Sequence, residues 1–276
     1  MRYAICNETF QGLPLPDAYA QVRAMGYEGL EAAPFTLIDE GPVDVRRITP
    51  AARRHYADMV RDAGLEIVGL HWLLAKTTGF YLTSPEPAVR QRTADYLAAL
   101  ADLCADLGGS VMVFGSPVQR NLLPGVDHAQ AQRYAADVLR AALPRCLDRG
   151  VVVALEPLGP AEGDFLVTAA AAAELVRQVD SPACRLHLDV KAMSSETQPI
   201  PDILRAQAPL LAHFHANDPN RRGPGMGSVD FRPIMAALRE IAYSGWVSVE
   251  AFVYEPSPLE LARQSIDNLR AADAAR

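Results

Sequence analysis

Apolar and polar positions follow two alternating periods along this chain. Eight short runs rich in Val, Ile, Leu and aromatic residues are each followed by a longer stretch of helical spacing or length, and they cover residues 3–8, 29–33, 65–71, 111–115, 151–156, 184–189, 210–215 and 246–252. Strand-like runs that alternate with helical stretches predict a parallel sheet with crossover helices. Eight such units in 276 residues favour closure into a (β/α)₈ TIM barrel, with residues 1–276 as a single domain.

The clearest helical pattern covers residues 88–107. Apolar residues recur there at steps of three and four, between a Thr-Ser-Pro start signal at 83–85 and a Gly-Gly stop signal at 108–109. A second helix is predicted over residues 135–149, and Pro144 should kink or split it, because proline removes a backbone hydrogen bond.

The polar residues of the predicted strands cluster at the strand ends. Seven of the eight runs carry an ionisable residue there, namely Glu8, Glu31, His71, Glu156, Asp189, His215 and Glu250. Side chains alternate between the two faces of a strand, and in the last four runs the apolar alternates face the helices. The last four of these ionisable residues should therefore point into the barrel mouth, where barrel enzymes have their active sites.

The four converging residues Glu156, Asp189, His215 and Glu250 suggest a metal site. Three carboxylates in one small volume repel one another unless a cation compensates them. Oxygen-rich ligation with one nitrogen favours one divalent metal, Mn²⁺ first, with Mg²⁺ or Co²⁺ as alternatives. The competing interpretation is that some of these groups are solvated rim carboxylates or hydrogen-bonded core residues.

Charge, cysteine spacing and the lack of long apolar segments limit the kinds of partner and the location to expect. A formal net charge of -7 disfavours nucleic acids and anionic membranes as partners, since both bind clustered cationic side chains. The four cysteines, Cys6, Cys104, Cys146 and Cys184, are scattered and fit small core residues better than a zinc or redox motif. The first residues lack a targeting signal and no long apolar span occurs, so a cytoplasmic location is expected.

Four segments carry a resemblance to a known family: LEPLGPAEGDFLVTAA, LHLDVKAM, FHANDPNRRGPGMGSVDF and WVSVEAF. The chain resembles the xylose-isomerase-like TIM-barrel sugar isomerases and epimerases, including ketose 3-epimerases, hydroxypyruvate isomerases and inosose-processing enzymes. The resemblance spans nearly the whole chain. It implies that Glu156, Asp189, His215 and Glu250 are metal ligands, in agreement with the strand argument. It also implies that Glu156 and Glu250 are the catalytic acid and base, and that Glu162 and Arg221 contact substrate oxygens.

The implied reaction is an isomerisation or epimerisation of a sugar or cyclitol through an enediolate. A carboxylate removes the proton next to a polarised carbonyl, and the second carboxylate returns a proton. Many family epimerases read HLDTFH where this chain reads HLDVKA, so Ala192 stands where a substrate-binding histidine would lie. This departure makes a substituted sugar credible, with β-elimination from a 3-keto-glycoside as the alternative reaction and Lys191 as a different substrate contact.

Further rim residues are candidates for substrate binding. His71 and Trp72 follow the third run and would offer a polar wall and an aromatic floor for a sugar ring. Glu8 and Glu31 would bind substrate hydroxyls or form salt bridges with a rim arginine. His187 and His213 lie one inward step below Asp189 and His215, and are expected to be hydrogen-bonded core histidines.

Two other classes of protein compete with the enzyme interpretation. A DNA-repair endonuclease on the same barrel would need several zinc ions, many histidines and a basic groove, which six histidines and an acidic chain disfavour. A noncatalytic subunit would keep the barrel but lose ligands, and all four are present. A homo-oligomer or a required partner subunit stays open.

Overall fold

The computed structural model describes residues 1–38 and 40–275 and contains a closed barrel of parallel strands in sequential order. The strands are β1 (Arg2–Cys6), β2 (Gly29–Ala32), β3 (Glu66–Leu70), β4 (Val111–Phe114), β5 (Val152–Leu155), β6 (Cys184–Asp189), β7 (Leu211–Ala216) and β8 (Trp246–Val249). Each lies within or overlaps one of the eight predicted runs, and β8 pairs with β1 to close the sheet. The predicted (β/α)₈ barrel is therefore confirmed.

Helices connect the strands on the outside of the barrel. They are α1 (Leu15–Met25), α2 (Pro50–Asp62), α3 (Pro87–Asp106), α4 (His128–Asp148), α5 (Ala169–Val179), α6 (Val190–Met193), α7 (Ile200–Gln207), α8 (Phe231–Glu240) and α9 (Pro258–Ala274). Short 3₁₀ helices cover Asn7–Phe10, Pro34–Leu37, Val45–Arg47 and Pro117–Gln119. The predicted helix over residues 88–107 corresponds to α3.

Helix α4 continues through Pro144, so the helix is not split there, and a kink at Pro144 stays a prediction. Residues on both sides of the proline are buried, including Leu143 and Cys146. Burial of an amphipathic face contributes more to helix stability in a protein than local propensity does, which lets this helix tolerate the missing backbone donor.

The two faces of the strands separate two apolar regions. In β5, Val153 and Leu155 belong to the large core between the barrel and its helices, whereas Ala154 belongs to a small cluster with Ala4, Val68 and Val111. Trp246 packs against this small cluster. The alternation predicted for β5 is therefore observed, and apolar side chains fill the part of the barrel interior below the polar rim.

All four cysteines are free and buried, as expected for small core residues. Across residues 1–38 and 40–275, no helix combines the length and the apolar character required to cross a bilayer.

Candidate active site

The carboxyl ends of the strands bring the predicted ionisable residues together at one end of the barrel. Asp189 ends β6, and His215 is the second-to-last residue of β7, where the two residues are paired in register. Glu156 and Glu250 directly follow β5 and β8. All four side chains are buried. We call Glu156, Asp189, His215 and Glu250 the carboxylate cluster.

Three members of the carboxylate cluster have ligand atoms within 4.8 Å of one another, in a group that also contains His187. These three are Glu156, Asp189 and His215. Glu250 is outside that group, but its Oε2 lies 3.3 Å from Nδ1 of His215. The predicted convergence of the four residues is therefore observed, with Glu250 on the His215 side.

His215 is oriented by a carboxylate behind it. Its Nε2 lies 3.1 Å from both carboxylate oxygens of Glu31, and its Nδ1 has no hydrogen-bond partner among the described residues. Metal-binding histidines commonly donate their second ring nitrogen to a carboxylate, which fixes the tautomer and the ring orientation. A buried nitrogen without a partner beside Glu250 is what a histidine ligand for a cation requires.

Asp189 is held by two donors. The backbone N–H of Ala192 donates to Oδ1 at 2.8 Å, and Nδ2 of Asn217 donates to Oδ2 at 2.6 Å. Burial, followed by the charge of Glu250, raises the pKa of Asp189 to about 6. A carboxylate with a raised pKa has unfavourable interactions as an anion, which a bound cation would relieve.

The two glutamates have opposite electrostatic environments. Burial and the charges of Glu250 and Asp189 raise the pKa of Glu156 well above its usual value. Burial also acts to raise the pKa of Glu250, but His215 and the Trp72 N–H, which donates to Oε1 at 2.8 Å, leave that pKa lowered overall. Two carboxyl groups that line one cavity, one with a raised and one with a lowered pKa, are suited to general acid and general base roles.

The carboxylate of Glu156 occupies the space beside Gly115, which follows β4, and would have to move for any larger residue there. A Cβ at Gly115 would lie 2.2 Å from Oε2 of Glu156. On the other side, the buried guanidinium of Arg120 donates to the Glu156 carbonyl at 2.6 Å. Gly115 and Arg120 therefore fix the position of Glu156, and the strand pattern pointed to neither.

The carboxylate cluster fits a divalent cation. Its donors are three carboxylates and an imidazole nitrogen without a partner, and hard oxygen donors with one nitrogen suit Mn²⁺, Mg²⁺ or Co²⁺. Burial acts against a charged His215, but Glu31 and Glu250 raise its pKa well above the usual value. Positive charge is thus favoured at this position.

A cavity of about 460 Å³ opens above the two glutamates. It is lined by His71, Trp72, Ala75, Lys76, Thr77, Val113, Gly115, Ser116, Pro117, Val118, Gln119, Glu156, Leu158, Glu162, Lys191, Glu250 and Phe252. Nζ of Lys191 donates to Oε2 of Glu162 at 2.6 Å across part of this wall. The size suits a small-molecule ligand.

Four of the six residues predicted to bind substrate line this cavity, namely His71, Trp72, Glu162 and Lys191. Glu8 and Arg221 are not among the described residues that line it. Glu8 is buried and its Oε2 lies 2.8 Å from Nε2 of His71. Arg221 is exposed, with its guanidinium 5.3 Å from the ring centre of Phe252.

Two predictions about the deeper residues are wrong. Glu31 is fully buried and interacts with His213 and His215, and among the described residues it contacts neither a rim arginine nor the cavity. His187 has no hydrogen-bond partner on either ring nitrogen among the described residues, and its Nε2 lies 3.9 Å from Oε1 of Glu156. Strand alternation gives the direction of a side chain but not the distance it reaches across a barrel.

His213 has the expected partner, since its Nε2 lies 2.8 Å from Glu31. The sequence patterns did not identify Asn217, which donates to Asp189. It lies two residues beyond His215, so the alternation of side chains along β7 would have placed it on the same face. Arg120 follows the 3₁₀ helix Pro117–Gln119, and no periodic signal distinguishes it from a surface arginine.

Comparisons with known proteins agree with this architecture. Residues 19–272 match the family described as a xylose isomerase-like TIM barrel. The chain is 38% identical to D-psicose 3-epimerase of Agrobacterium fabrum over 106 residues, which is 38% of this chain and 37% of that protein. It is 29% identical to 3-dehydro-D-guloside 4-epimerase of Escherichia coli over 139 residues, 50% of this chain and 53% of that protein.

A solved structure extends the similarity to the whole fold. The crystal structure of a D-psicose 3-epimerase in the presence of D-fructose superposes with a TM-score of 0.86 and covers 100% of both chains. Its sequence identity is 21%, so this likeness concerns the fold. The two curated matches span about a third and about half of those proteins' own lengths.

Proposed function

This chain belongs to the xylose isomerase-like TIM barrel family, and from that premise we propose that it is a divalent-metal-dependent sugar or cyclitol isomerase or epimerase. Its reaction passes through an enediolate, with Glu156 and Glu250 as acid and base. One observation carries the proposal: two buried glutamates with oppositely shifted pKa values line one cavity beside Asp189 and His215. Two relatives are named D-psicose 3-epimerase and 3-dehydro-D-guloside 4-epimerase, and these names support a sugar as the substrate.

The carboxylate cluster would hold the metal, Mn²⁺ first and Mg²⁺ or Co²⁺ as alternatives. When bound, the ion supplies positive charge that polarises the substrate carbonyl and offsets the three carboxylates. Glu31 keeps Nδ1 of His215 available, and Asn217 keeps Asp189 in place.

The chain's own residues move the proton. Glu250, whose ionised form is favoured, accepts the proton from the carbon next to the substrate carbonyl. Glu156, whose protonated form is favoured, returns a proton to the carbon skeleton. Return to the opposite face of the same carbon gives an epimer, and return to the neighbouring carbon gives an aldose–ketose isomer.

The cavity wall binds the rest of the sugar. Trp72 positions Glu250 through its indole N–H and offers an aromatic surface, while Lys191 and Glu162 offer polar contacts to hydroxyls. Glu8 acts through His71, with which it shares a hydrogen bond. Arg221 is assigned to substrate oxygens on the resemblance alone. The expected cytoplasmic location and the single domain over residues 1–276 also stay predictions.

Elimination from a 3-keto-glycoside is a second candidate reaction. Ala192 is buried and has no imidazole to offer a free ketose, and the cavity wall includes Pro117, the exposed Val118 and Phe252. An apolar wall suits an aglycone better than a row of hydroxyls. After proton removal by the same base, the carbon–oxygen bond β to the carbanion would break and the aglycone would leave.

The test is a substrate panel in deuterated buffer with Mn²⁺, followed by NMR. We expect deuterium to enter a carbon-bound position of at least one free ketose, cyclitol ketone or keto-glycoside. Release of an aglycone would identify elimination, whereas an isomer alone would identify epimerisation or isomerisation. Absence of exchange in every substrate with the metal-loaded protein would contradict the proposed chemistry.

A further inference from the structure

A second cluster of metal-ligating side chains lies at the same end of the barrel, on the β1 and β3 side. Ligand atoms of Cys6, Glu8 and His71 lie within 4.8 Å of one another, and all three residues are buried. We call these three residues the Cys6 cluster. None of them belongs to the carboxylate cluster, so the chemistry proposed above leaves the thiol unused.

Two buried atoms of the Cys6 cluster lack partners. Oε1 of Glu8 and Nδ1 of His71 make no hydrogen bond to any described residue. Buried polar atoms of this kind are uncommon, because each one costs the free energy of its lost hydration. A cation bound between Glu8 and His71 would give Oε1 of Glu8 a partner, whereas Nδ1 of His71 points away from Glu8, because Nε2 is the ring nitrogen that Glu8 contacts.

We propose that the Cys6 cluster is a second metal site, selective for Zn²⁺. A thiolate, an imidazole and a carboxylate form a donor set for zinc, and three protein ligands leave a fourth position open. The carboxylate cluster has no sulfur donor. Zn²⁺ would therefore prefer the site with the thiolate, and Mn²⁺ or Mg²⁺ the site rich in oxygen donors. Binding releases the thiol proton of Cys6 and replaces the proton shared between Glu8 and His71.

An ion can reach the Cys6 cluster through the substrate cavity, because His71 lines that cavity. Glu31 lies between the two sites, with Oε1 3.9 Å from Nδ1 of His71 and 3.1 Å from Nε2 of His215. Zinc at the second site would occupy His71, which lines the substrate cavity, and Glu8, which contacts it.

Cobalt substitution tests the site without any turnover. We titrate the metal-free protein with Co²⁺ and follow the near-ultraviolet charge-transfer absorption of a thiolate–Co²⁺ bond, together with bound cobalt per chain. The expected result is two ions per chain with this absorption in the wild type, and one ion without it in Cys6→Ser. The matched control is Cys104→Ser, a buried cysteine on α3, which should keep both ions and the absorption.

A second variant covers the case in which Cys6→Ser fails to fold. Glu8→Gln should keep the absorption but weaken the Co²⁺ affinity about 10-fold or more, since loss of even a supporting contact to a metal ligand costs about that much. A single ion per chain in the wild type, no thiolate absorption, or unchanged affinity in Glu8→Gln would overturn the proposal. The readout needs no substrate, so it separates this inference from failure of the proposed enzyme activity.

Discussion

The two sides of the barrel mouth use the same residue types in different ways. On the β5 to β8 side, burial and the charges of neighbouring carboxylates raise the pKa values of Glu156 and Asp189. On the β1 to β3 side, the carboxylates of Glu8 and Glu31 are bonded to imidazoles. Burial opposes the ionised form of Glu31, yet His215 and His213 lower its pKa well below the usual value. The carboxylates of the first side lack such partners and would be balanced by the proposed cation, whereas those of the second side are already hydrogen-bonded to imidazoles.

This difference supports the proposal that the carboxylate cluster carries the chemistry and that Glu8 and Glu31 position the imidazoles next to it. Removal of single groups tests this division between a catalytic side and a supporting side of the barrel mouth. The measurements are turnover, metal affinity and stability.

Replacement of the acid or the base should have the largest effect. Glu156→Gln and Glu250→Gln should each lower the turnover number at least about 10²-fold, because each removes a proton-transfer group and a metal donor. Deuterium exchange into the substrate measures the loss, and circular dichroism checks the fold. The control is Glu174→Gln on the exposed face of α5. A rate of deuterium exchange equal to that of the wild type, in Glu156→Gln or Glu250→Gln, would show that the replaced residue is not the acid or the base.

Glu31→Gln should weaken metal binding at the carboxylate cluster by about 10- to 100-fold, because it removes the group that orients His215. Glu8→Gln is the matched change on the same side, and it should leave the first Mn²⁺ affinity within about twofold, since Glu8 contacts His71 instead. Calorimetric titration with Mn²⁺ gives both values. Equal losses in the two variants would mean that the two carboxylates are not functionally distinct.

Metal binding should weaken as the pH falls through about 6, because the Asp189 carboxyl must lose its proton to bind a cation. Below that pKa we expect the Mn²⁺ affinity to fall about tenfold per pH unit for this one proton. Asp189→Asn should bind more weakly and with a smaller pH dependence. An affinity that stays constant between pH 7 and pH 5 would contradict this assignment.

The same group should affect the stability of the metal-free protein. Its folded-state pKa of about 6 exceeds the unfolded value of 3.8, so the folded state binds more protons and loses stability as the pH rises between these values. Above about pH 6, the full loss in the free energy of unfolding is about 3 kcal/mol. Urea unfolding of the metal-free wild type and Asp189→Asn at pH 4 and pH 7 isolates the contribution of this carboxyl group. An equal pH dependence of the free energy of unfolding in both proteins would refute its assignment to Asp189.

The smallest expected effect concerns Trp72. Trp72→Phe removes the N–H donor to Glu250, so turnover should fall about fivefold, equivalent to about 1 kcal/mol for one hydrogen bond. The pKa of Glu250 should rise, and the acidic limb of the pH–rate profile should move to higher pH. An unmoved limb would mean that the indole contributes only packing.

Much of the fold followed from local patterns. The eight strands appear where short apolar runs alternate with helices, and alternation within β5 to β8 indicated which side chains enter the barrel. Pro144 is an exception, because burial of Leu143 and Cys146 on the barrel outweighs a local helix-breaking signal. Asp189 and His215 were predictable as neighbours, since they end consecutive strands.

The sequence alone determined the order of the strands, the inward direction of Glu156, Asp189, His215 and Glu250, and the excess of acid that calls for a cation. Only the tertiary structure decided which groups share a hydrogen bond. Glu31 and His215 are 184 residues apart, and Arg120 reaches Glu156 from a loop without a periodic pattern. Backbone geometry sets the direction of a side chain on its own strand, whereas partners across a barrel depend on closure and stagger of the whole sheet.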